Sequence, residues 1–517
     1  MPLCFVLFFL LTCSTCLAST PSLRTLRASL DPHSLAQHMA FYGLYPETKE
    51  GKEALSHAWK ILSAGKEEPA QYLSLSDLSL GAIVSLVTRR SSDPPIELKQ
   101  EELSLVRKLS SHLGNRRLKG SLVFSQEEVL ALPPEEIDLG RGLLIEQFEG
   151  EENRENAILQ YEAGLDLMAL QVAARLPKQA SSEEKIRCLN HFVFQEMHFR
   201  FPPHSLYAKD IDLYTFLPSV LDSRQGVCLG VSILYLCLAQ RLDLPLEIIT
   251  PPGHIYLRYN SGEELINIET TARGIHLPNA IYLGINTRKL QLRSIKEVIG
   301  MAFVNQASVF WAGQEFKKSL ALYEKALPYM PEDQLVQLFL GLNQLFNGYK
   351  QKGRKTLEPL KEFRFDYAVA KETLASDYLS GAIDEEGLKA IFMPVDENRA
   401  SIVQKQAELL ALLKRFPKFR AGLMQLSVTY LQLGRLAEAR PWLEHYHAID
   451  PEDPTVAYYL AAVCFERLDY GNAWRYLEKA ESLTKAQDHF PKALKTLRHE
   501  LRAVCPKGCS KRAVSCS

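Results

Sequence analysis

Gly226-Val227-Cys228-Leu229-Gly230 opens an apolar run that directly follows the polar turn Asp222-Ser223-Arg224-Gln225. The pattern from Val227 to Leu242 predicts one buried helix, with Cys228 in its first turn. Unpaired backbone N–H groups and the helix dipole favour negative charge at that position. The sequence therefore places a cysteine where its thiolate, the nucleophilic form of the side chain, is stabilised.

The residues that follow this helix predict a β-hairpin. Residues 254–259 and 265–269 each alternate between apolar and polar side chains, and turn-forming residues separate them. A turn centred on Ser261-Gly262 places His254 directly opposite Glu269. Residues opposite each other on paired strands have Cβ atoms roughly 4.5 to 5.5 Å apart. We therefore expect the carboxylate of Glu269 to orient the imidazole of His254.

Cysteine, histidine and acid in this chain order predict a thiol nucleophile, its general base and the residue that orients the base. Each residue alone has an ordinary structural interpretation. Cys228 fits a small buried apolar side chain, His254 a loop-end residue and Glu269 a solvated carboxylate. Their combination, with the cysteine at a helix start and the other two on a following hairpin, favours a catalytic triad.

Residues 181–274 resemble the transglutaminase-like superfamily, in particular its bacterial branch related to SirB-type proteins. The resemblance rests on the turn 220–226, the helix ending in Arg241-Leu242-Asp243-Leu244-Pro245, the Pro252-Gly253-His254 turn and the acid-bearing strand. It implies an α+β, papain/transglutaminase-like core with Cys228 as nucleophile, His254 as general base and Glu269 as orienting residue.

One residue departs from the family pattern. The third member of the family's triad is commonly Asp, whereas Glu269 is longer by one methylene group, so Asn267 is an alternative for that role. The implied chemistry, thiol acyl transfer, needs no cofactor, and we expect none.

A second periodicity begins near residue 300. Ala439 and Ala473 are 34 residues apart, as are Leu443 and Leu477, and about 34 residues is the length of a tetratricopeptide repeat (TPR). The windows that resemble such repeats are 300–333, 334–367, 420–453 and 454–487. The spacing between the second and third windows is irregular, which indicates an insertion. The alternative is a generic helical bundle; a repeat solenoid would present a concave face to a protein partner.

The N-terminus predicts export. An apolar run, residues 4–11, is followed by Cys16-Leu17-Ala18, which fits a signal-peptidase site. An uncleaved anchor and lipidation of Cys13 remain alternatives, and they are the only membrane attachment we expect. The localisation that follows is periplasmic, envelope-associated or secreted.

The predicted organisation of the chain comprises a signal peptide (1–18), a helical N-terminal region (19–180), the transglutaminase-like core (181–299), an all-α solenoid of TPR-like repeats (300–487) and a cysteine-containing basic tail (488–517). The 517 residues include 60 basic and 61 acidic side chains, which excludes the strong positive charge typical of nucleic-acid binding. Ten cysteines permit disulfides in an exported protein, with Cys228 left free.

Two functions fit these features. In the first, the chain is an exported thiol enzyme, a cysteine protease, an amidase or a transglutaminase-like acyltransferase, and its repeats recruit a protein. In the second, the core is catalytically idle and the chain is a secreted or periplasmic scaffold.

Overall fold

The computed structural model describes residues 22–63, 97–202, 215–392 and 398–506. The expected signal peptide and the tail cysteines Cys509 and Cys516 lie outside these residues. Within the described ranges, no helix combines the length and the apolar character needed to cross a membrane. Within these ranges, Cys188, Cys228, Cys237 and Cys464 are free thiols.

Short and medium-length helices precede and enter the core. They are α1 (Leu23–Ala28), α2 (Leu35–Leu44), α3 (Lys49–Leu62), α4 (Gln100–Leu109), α5 (Gln126–Ala131), α6 (Leu139–Gln147), α7 (Arg154–Ala173), α8 (Ser182–Asn190), α9 (Leu217–Ser223) and α10 (Cys228–Arg241).

A small antiparallel sheet follows α10, with the strand order β3-β2-β1-β4. Its strands are β1 (Glu247–Thr250), β2 (Tyr256–Asn260), β3 (Leu265–Ile268) and β4 (Gln291–Arg293).

The C-terminal part is helical throughout its regular structure. Its helices are α11 (Ile295–Ala312), α12 (Phe316–Ala326), α13 (Gln334–Phe346), α14 (Lys350–Leu357), α15 (Leu374–Leu379), α16 (Glu385–Ile391), α17 (Arg399–Arg415), α18 (Arg420–Gln432), α19 (Leu436–Ile449), α20 (Pro454–Glu466), α21 (Tyr470–Lys485) and α22 (Lys492–Val504).

The start of α10 is fixed by the chain around Gly226. Arg224 ends α9 in the left-handed conformation, with φ of 55°, and Gly226 then donates its N–H to the carbonyl of Arg200 at 3.1 Å. A Cβ atom on Gly226 would lie 2.7 Å from Val231 Cγ2. Only glycine therefore lets the turn approach α10 this closely, and the helix begins at Cys228.

The hairpin forms as predicted, but its register differs from the expected one. The ladder pairs Leu257 with Ile268 and Arg258 with Asn267, so Glu269 lies level with Tyr256 and not with His254. The physical reason is the turn, which is centred one residue later than expected and is closed by the N–H of Ser261 donating to the carbonyl of Glu264 at 3.0 Å. The cross-strand partner of each residue is therefore shifted by two positions. Since side chains alternate between the two faces of a sheet, each side chain stays on its predicted face.

Buried charges join the N-terminal helices to α10. Arg241, near the end of α10, donates from Nε to Asp166 Oδ1 of α7 at 2.8 Å, and both side chains are fully buried. Ser110 Oγ donates to the other oxygen of Asp166 at 2.7 Å, and Arg116 contacts the same oxygen. Unpaired charges at this depth cost several kcal/mol, so this network specifies how α7 packs on α10.

The C-terminal helices form antiparallel pairs. Each of the four repeat windows contains one helical hairpin, namely α11–α12, α13–α14, α18–α19 and α20–α21. The irregular spacing between the second and third hairpins corresponds to α15, α16 and α17. The fold-class prediction is confirmed: an α+β core is joined to a TPR-like helical solenoid. We refer to residues 295–504 as the repeat domain.

Part of the expected tail is an ordered helix. Leu494, Leu497 and Leu501 of α22 are buried, and the indole N–H of Trp474 donates to the carbonyl of Cys505 at 3.0 Å. Helix α22 therefore covers the apolar face of the last hairpin, as terminal helices of repeat arrays do.

Substituting Asp166→Ala should destabilise the core, because the buried guanidinium of Arg241 loses its nearer ion-pair partner and keeps only the contact with Asp138 at 4.0 Å. We expect the free energy of unfolding to fall by about 3 kcal/mol, measured by urea denaturation. Glu183→Ala is the matched control, because it removes an exposed ion pair with Arg187, and it should change stability by about 0.5 kcal/mol or less. Equal effects of the two substitutions would contradict the role given to the buried network.

Candidate active site

Cys228 is the first residue of α10 and its thiol is free and half-buried. The backbone N–H groups of the first helical turn have no acceptor within the helix. Cys228 therefore lies at the positive end of the helix dipole, where the backbone favours an anion. This is the position that the sequence pattern predicts.

His254 precedes β2 in a tight turn. Gly253 has φ of 74°, a conformation that glycine adopts without strain, and the N–H of His254 donates to the carbonyl of Pro251 at 3.0 Å. The imidazole contacts Glu269 through Nε2, which lies 2.7 Å from Glu269 Oε2. Since Nε2 is engaged with Glu269, Nδ1 is the ring atom available to Cys228, which is close enough to influence the pKa of His254.

These contacts set the protonation state of His254. Burial of the ring lowers the pKa, but hydrogen bonds with Cys228 and Glu269, and the charges of both groups, outweigh it and raise the pKa from 6.5 to about 9. The imidazole is therefore largely protonated at neutral pH. An imidazolium next to a thiol stabilises the thiolate, which is the condition for nucleophilic attack.

Glu269 lies at the end of β3 and is 3% exposed. Its Oε1 atom accepts a hydrogen bond from Thr271 Oγ1 at 2.6 Å. Its Oε2 atom accepts one from the hydroxyl of Tyr282 at 2.5 Å, in addition to the contact with His254. Burial raises the pKa of this carboxyl, but donors on both oxygens reverse the effect and lower the pKa to about 2. Glu269 is therefore ionised throughout the physiological range.

Asn267 has other partners. Its Nδ2 atom donates to the carbonyl of Leu277 at 2.6 Å and to Asn279 Oδ1 at 2.7 Å. Among the hydrogen bonds of the described residues, the imidazole of His254 is paired with Glu269 and not with Asn267. The extra methylene group of Glu269 compensates for the shifted register, since the carboxylate reaches diagonally from its place opposite Tyr256 to His254.

Two members of the site escape sequence analysis. Thr271 follows Glu269 by two residues, and its proximity is a local signal, because short polar side chains often bond carboxylates in such turns. Tyr282 lies in an irregular segment, where no periodicity relates it to Glu269. Its ring stacks on those of His254 and Tyr256, with centroids 5.8 and 4.5 Å apart.

Side chains of α10 connect the helix to the strand that carries the acid. Ser232 Oγ lies 2.9 Å from Thr270 Oγ1, and both residues are buried. The hydroxyl of Tyr235 donates to Asn190 Oδ1 at 2.9 Å, and Asn190 Nδ2 donates to the carbonyl of Gly274 at 3.2 Å. The relative positions of Cys228 and Glu269 are thus set by buried hydrogen bonds as well as by packing.

Comparison with known proteins agrees with this architecture. Residues 159–282 match the Transglutaminase-like superfamily, so they form a transglutaminase-like domain. The match begins within α7, earlier than the resemblance noted from the sequence, and it therefore includes Asp166.

Curated relatives match part of the chain at low identity. A UPF0162 protein of Pseudomonas aeruginosa is 28% identical over 144 residues, which is 28% of this chain and 50% of that protein. F-box only protein 21 of Homo sapiens is 23% identical over 216 residues, which is 38% of this chain and 32% of that protein. The chain thus spans half or less of the length of these relatives.

Solved structures of TPR proteins are similar to part of the chain. The TPR protein TTC0263 of Thermus thermophilus has 20% identity and a TM-score of 0.20, covering 40% of this chain and 97% of its own. PilW, a type IV pilus biogenesis factor, has 15% identity and a TM-score of 0.19, covering 42% and 98%. Likenesses at such TM-scores carry no argument, and the helical hairpins themselves define the repeat domain.

Substituting Glu269→Gln should lower the pKa of His254 from about 9 towards its ordinary value, because the partner charge is lost. Because folding raises the pKa of His254, the imidazolium stabilises the folded protein. This contribution is fully present below pH 6.5 and is lost as the pH rises through about 9. NMR titration of labelled histidine measures the change. Glu263→Gln, at an exposed carboxyl on the hairpin turn, is the control, and an unchanged titration in Glu269→Gln would contradict the assigned pairing.

Proposed function

We propose that this chain is a cysteine-dependent enzyme that transfers the acyl group of a peptide or protein amide, within the SirB-type branch of transglutaminase-like proteins. The observation that carries the proposal is the arrangement of Cys228, His254 and Glu269, in which a protonated imidazole bonded to Glu269 lies near a thiol at a helix N-terminus. A cysteine with a solely structural role has no need of such a partner.

The first half of the reaction forms a thioester. The thiolate of Cys228 attacks the amide carbonyl carbon, a C–S bond forms, and the carbonyl electron pair moves to oxygen. Collapse of this tetrahedral intermediate breaks the C–N bond, and the imidazolium of His254 donates its proton to the departing amine.

The second half releases the acyl group. The neutral imidazole of His254 takes a proton from water or from an amine, which attacks the thioester, and the C–S bond breaks to regenerate the thiolate. Water as acceptor gives hydrolysis, and an amine gives a new amide. Both outcomes proceed from the same intermediate.

The backbone at the start of α10 suits the oxyanion of both steps. The N–H of Cys228 is the first donor of the helix, and the helix dipole adds positive potential at the same place. Donors that are already oriented where negative charge develops typically contribute a large share of the rate of acyl transfer.

We also propose that the protein is exported and that it recruits a protein partner. The helical hairpins of the repeat domain suit binding of a protein partner, and the apolar N-terminal run suggests an exported protein. Mass spectrometry of the protein purified from its host would test export, because cleavage after Ala18 leaves Ser19 at the N-terminus.

Cys228 should react with iodoacetamide at pH 7 at least tenfold faster than Cys188, as expected for an activated thiolate. Cys188 is a control within the same molecule, because it is half-buried and burial raises its pKa. Peptide mass spectrometry after brief alkylation measures both rates. Changing His254→Ala should reduce the rate at Cys228 and leave the rate at Cys188 unchanged.

A second measurement tests the acyl step. Incubation with a peptide amide or an activated ester should add the acyl mass to Cys228, and Cys228→Ser should abolish this adduct. Equal alkylation of Cys228 and Cys188 in the native protein, unaffected by His254→Ala, would refute the proposed chemistry and favour a scaffold with an idle domain.

A further inference from the structure

The segment between β3 and β4, residues 269–290, connects the site to the repeat domain. It begins with Glu269, carries Tyr282 in its middle and ends before β4. Its isolated bridges pair Glu269 with Ile275 inside the segment and Thr287 with Ala368 of the repeat domain, and its described backbone pairs with no strand of the sheet. Other contacts must hold it, because ordering each backbone residue costs about 1 to 2 kcal/mol of conformational entropy.

The site contacts this segment through Tyr282. The hydroxyl of Tyr282 and the imidazole of His254 both bond the same Oε2 atom of Glu269. The ring of Tyr282 lies at 20° to the imidazole and at 14° to the ring of Tyr256. Burial, followed by the bond to Glu269, raises the pKa of Tyr282, so the hydroxyl remains a donor.

The sheet holds the segment just before Tyr282. The hydroxyl of Tyr256 donates to Asn279 Oδ1 at 3.0 Å, and the same oxygen accepts a hydrogen bond from Asn267 Nδ2 at 2.7 Å. Asn267 and Tyr256 are both buried. Asn267, the alternative third member of the triad, thus acts on the segment and not on His254.

The repeat domain holds the segment just after Tyr282. Asn286 accepts the N–H of Val369 through both its carbonyl and its side-chain oxygen, at 3.0 and 2.9 Å, and its side chain also accepts the N–H of Ala370 at 2.5 Å. The N–H of Arg288 donates to the carbonyl of Tyr367 at 2.8 Å. These partners lie between α14 and α15.

A second contact comes from the far end of the repeat domain. His489, between α21 and α22, donates from Nε2 to the carbonyl of Gly284 at 2.8 Å, and it is 6% exposed. Gln487 links the region around His489 to the residues that bind Asn286, because its Nε2 atom donates to the carbonyl of Val369 at 3.1 Å. The last hairpin and the insertion between the second and third hairpins therefore meet the site segment together.

We infer that Tyr282 is a positioning residue for the His254–Glu269 pair and that the repeat domain holds Tyr282 in place through Asn286 and His489. This inference rests on the proposed function for its consequence in catalysis. The ring of Tyr282 excludes water from the bond between imidazole and carboxylate, and its hydroxyl keeps Oε2 directed at His254. The repeat domain therefore helps to hold the site together, in addition to its proposed role in recruiting a partner.

Comparing Tyr282→Ala with Tyr282→Phe distinguishes the contribution of the Tyr282 ring from that of its hydroxyl. Tyr282→Ala should slow alkylation of Cys228 by about tenfold, since small misplacements of reacting groups cost one to two orders of magnitude. It should also abolish the downfield NMR resonance of the His254 Nε2 proton, which then exchanges with water. Tyr282→Phe retains the ring but lacks the hydroxyl, so it should keep the resonance and give a rate between those of Tyr282→Ala and the unmodified protein.

The attachment to the repeats is tested by His489→Ala and Asn286→Ala. Both should weaken the same resonance and slow Cys228 alkylation, with the unfolding midpoint of the core unchanged. His489→Gln retains an N–H donor for the carbonyl of Gly284 and should restore both properties. His499→Ala, at an exposed position of α22, is the control and should match the unmodified protein.

The outcomes separate this inference from the proposed function. If Cys228 of the unmodified protein reacts no faster than Cys188, the catalytic proposal fails, but the His254 resonance still tests the positioning by Tyr282 and His489. If Cys228 is reactive and the resonance and rate are unaffected by His489→Ala, Asn286→Ala and Tyr282→Ala, the inference is wrong and the catalytic proposal stands.

Discussion

The buried carboxylate of Glu269 is the constraint on which the candidate site depends. A charge at this depth is tolerated only where donors saturate it, and here the donors come from two parts of the chain: His254 before β2, and Thr271 and Tyr282 in the segment between β3 and β4. Removing any one leaves a buried oxygen short of a partner. The charge therefore requires these two parts of the chain to meet, and their meeting orients the imidazole towards Cys228.

The same principle operates at the other end of α10. Arg241 is buried in the apolar interior and is stable there because Asp166 lies against it. Since charged residues are tolerated in a core only with a specific partner, this pair defines the register between α7 and α10 more narrowly than apolar contacts alone. The helix that carries Cys228 is thus fixed at its end by the Arg241–Asp166 ion pair, along its length by packing, and at its start by the close turn at Gly226.

Most of the helices and strands that form the site could be predicted from patterns that are local in sequence. The apolar run after Gly226 predicted α10 to within a residue at each end, the alternation predicted the hairpin, and the spacing near 34 residues predicted helical pairs. The hairpin register was wrong by two positions, because turn residues indicate that a turn exists but not which pair of them lies at its centre. The pairing of His254 with Glu269 still forms, since an error of two leaves each side chain on its predicted face.

The sequence by itself determined the elements and the chemistry available to them: a cysteine at a helix start, a histidine and an acid on a hairpin, and repeating helical hairpins. Only the tertiary structure decided which groups complete the site. Tyr282 reaches Glu269 from an irregular segment, and that segment is held by Asn286 and His489 through contacts with residues 83 and 205 positions away in the chain. Such contacts follow from how whole domains pack, and no periodicity in the sequence encodes that packing.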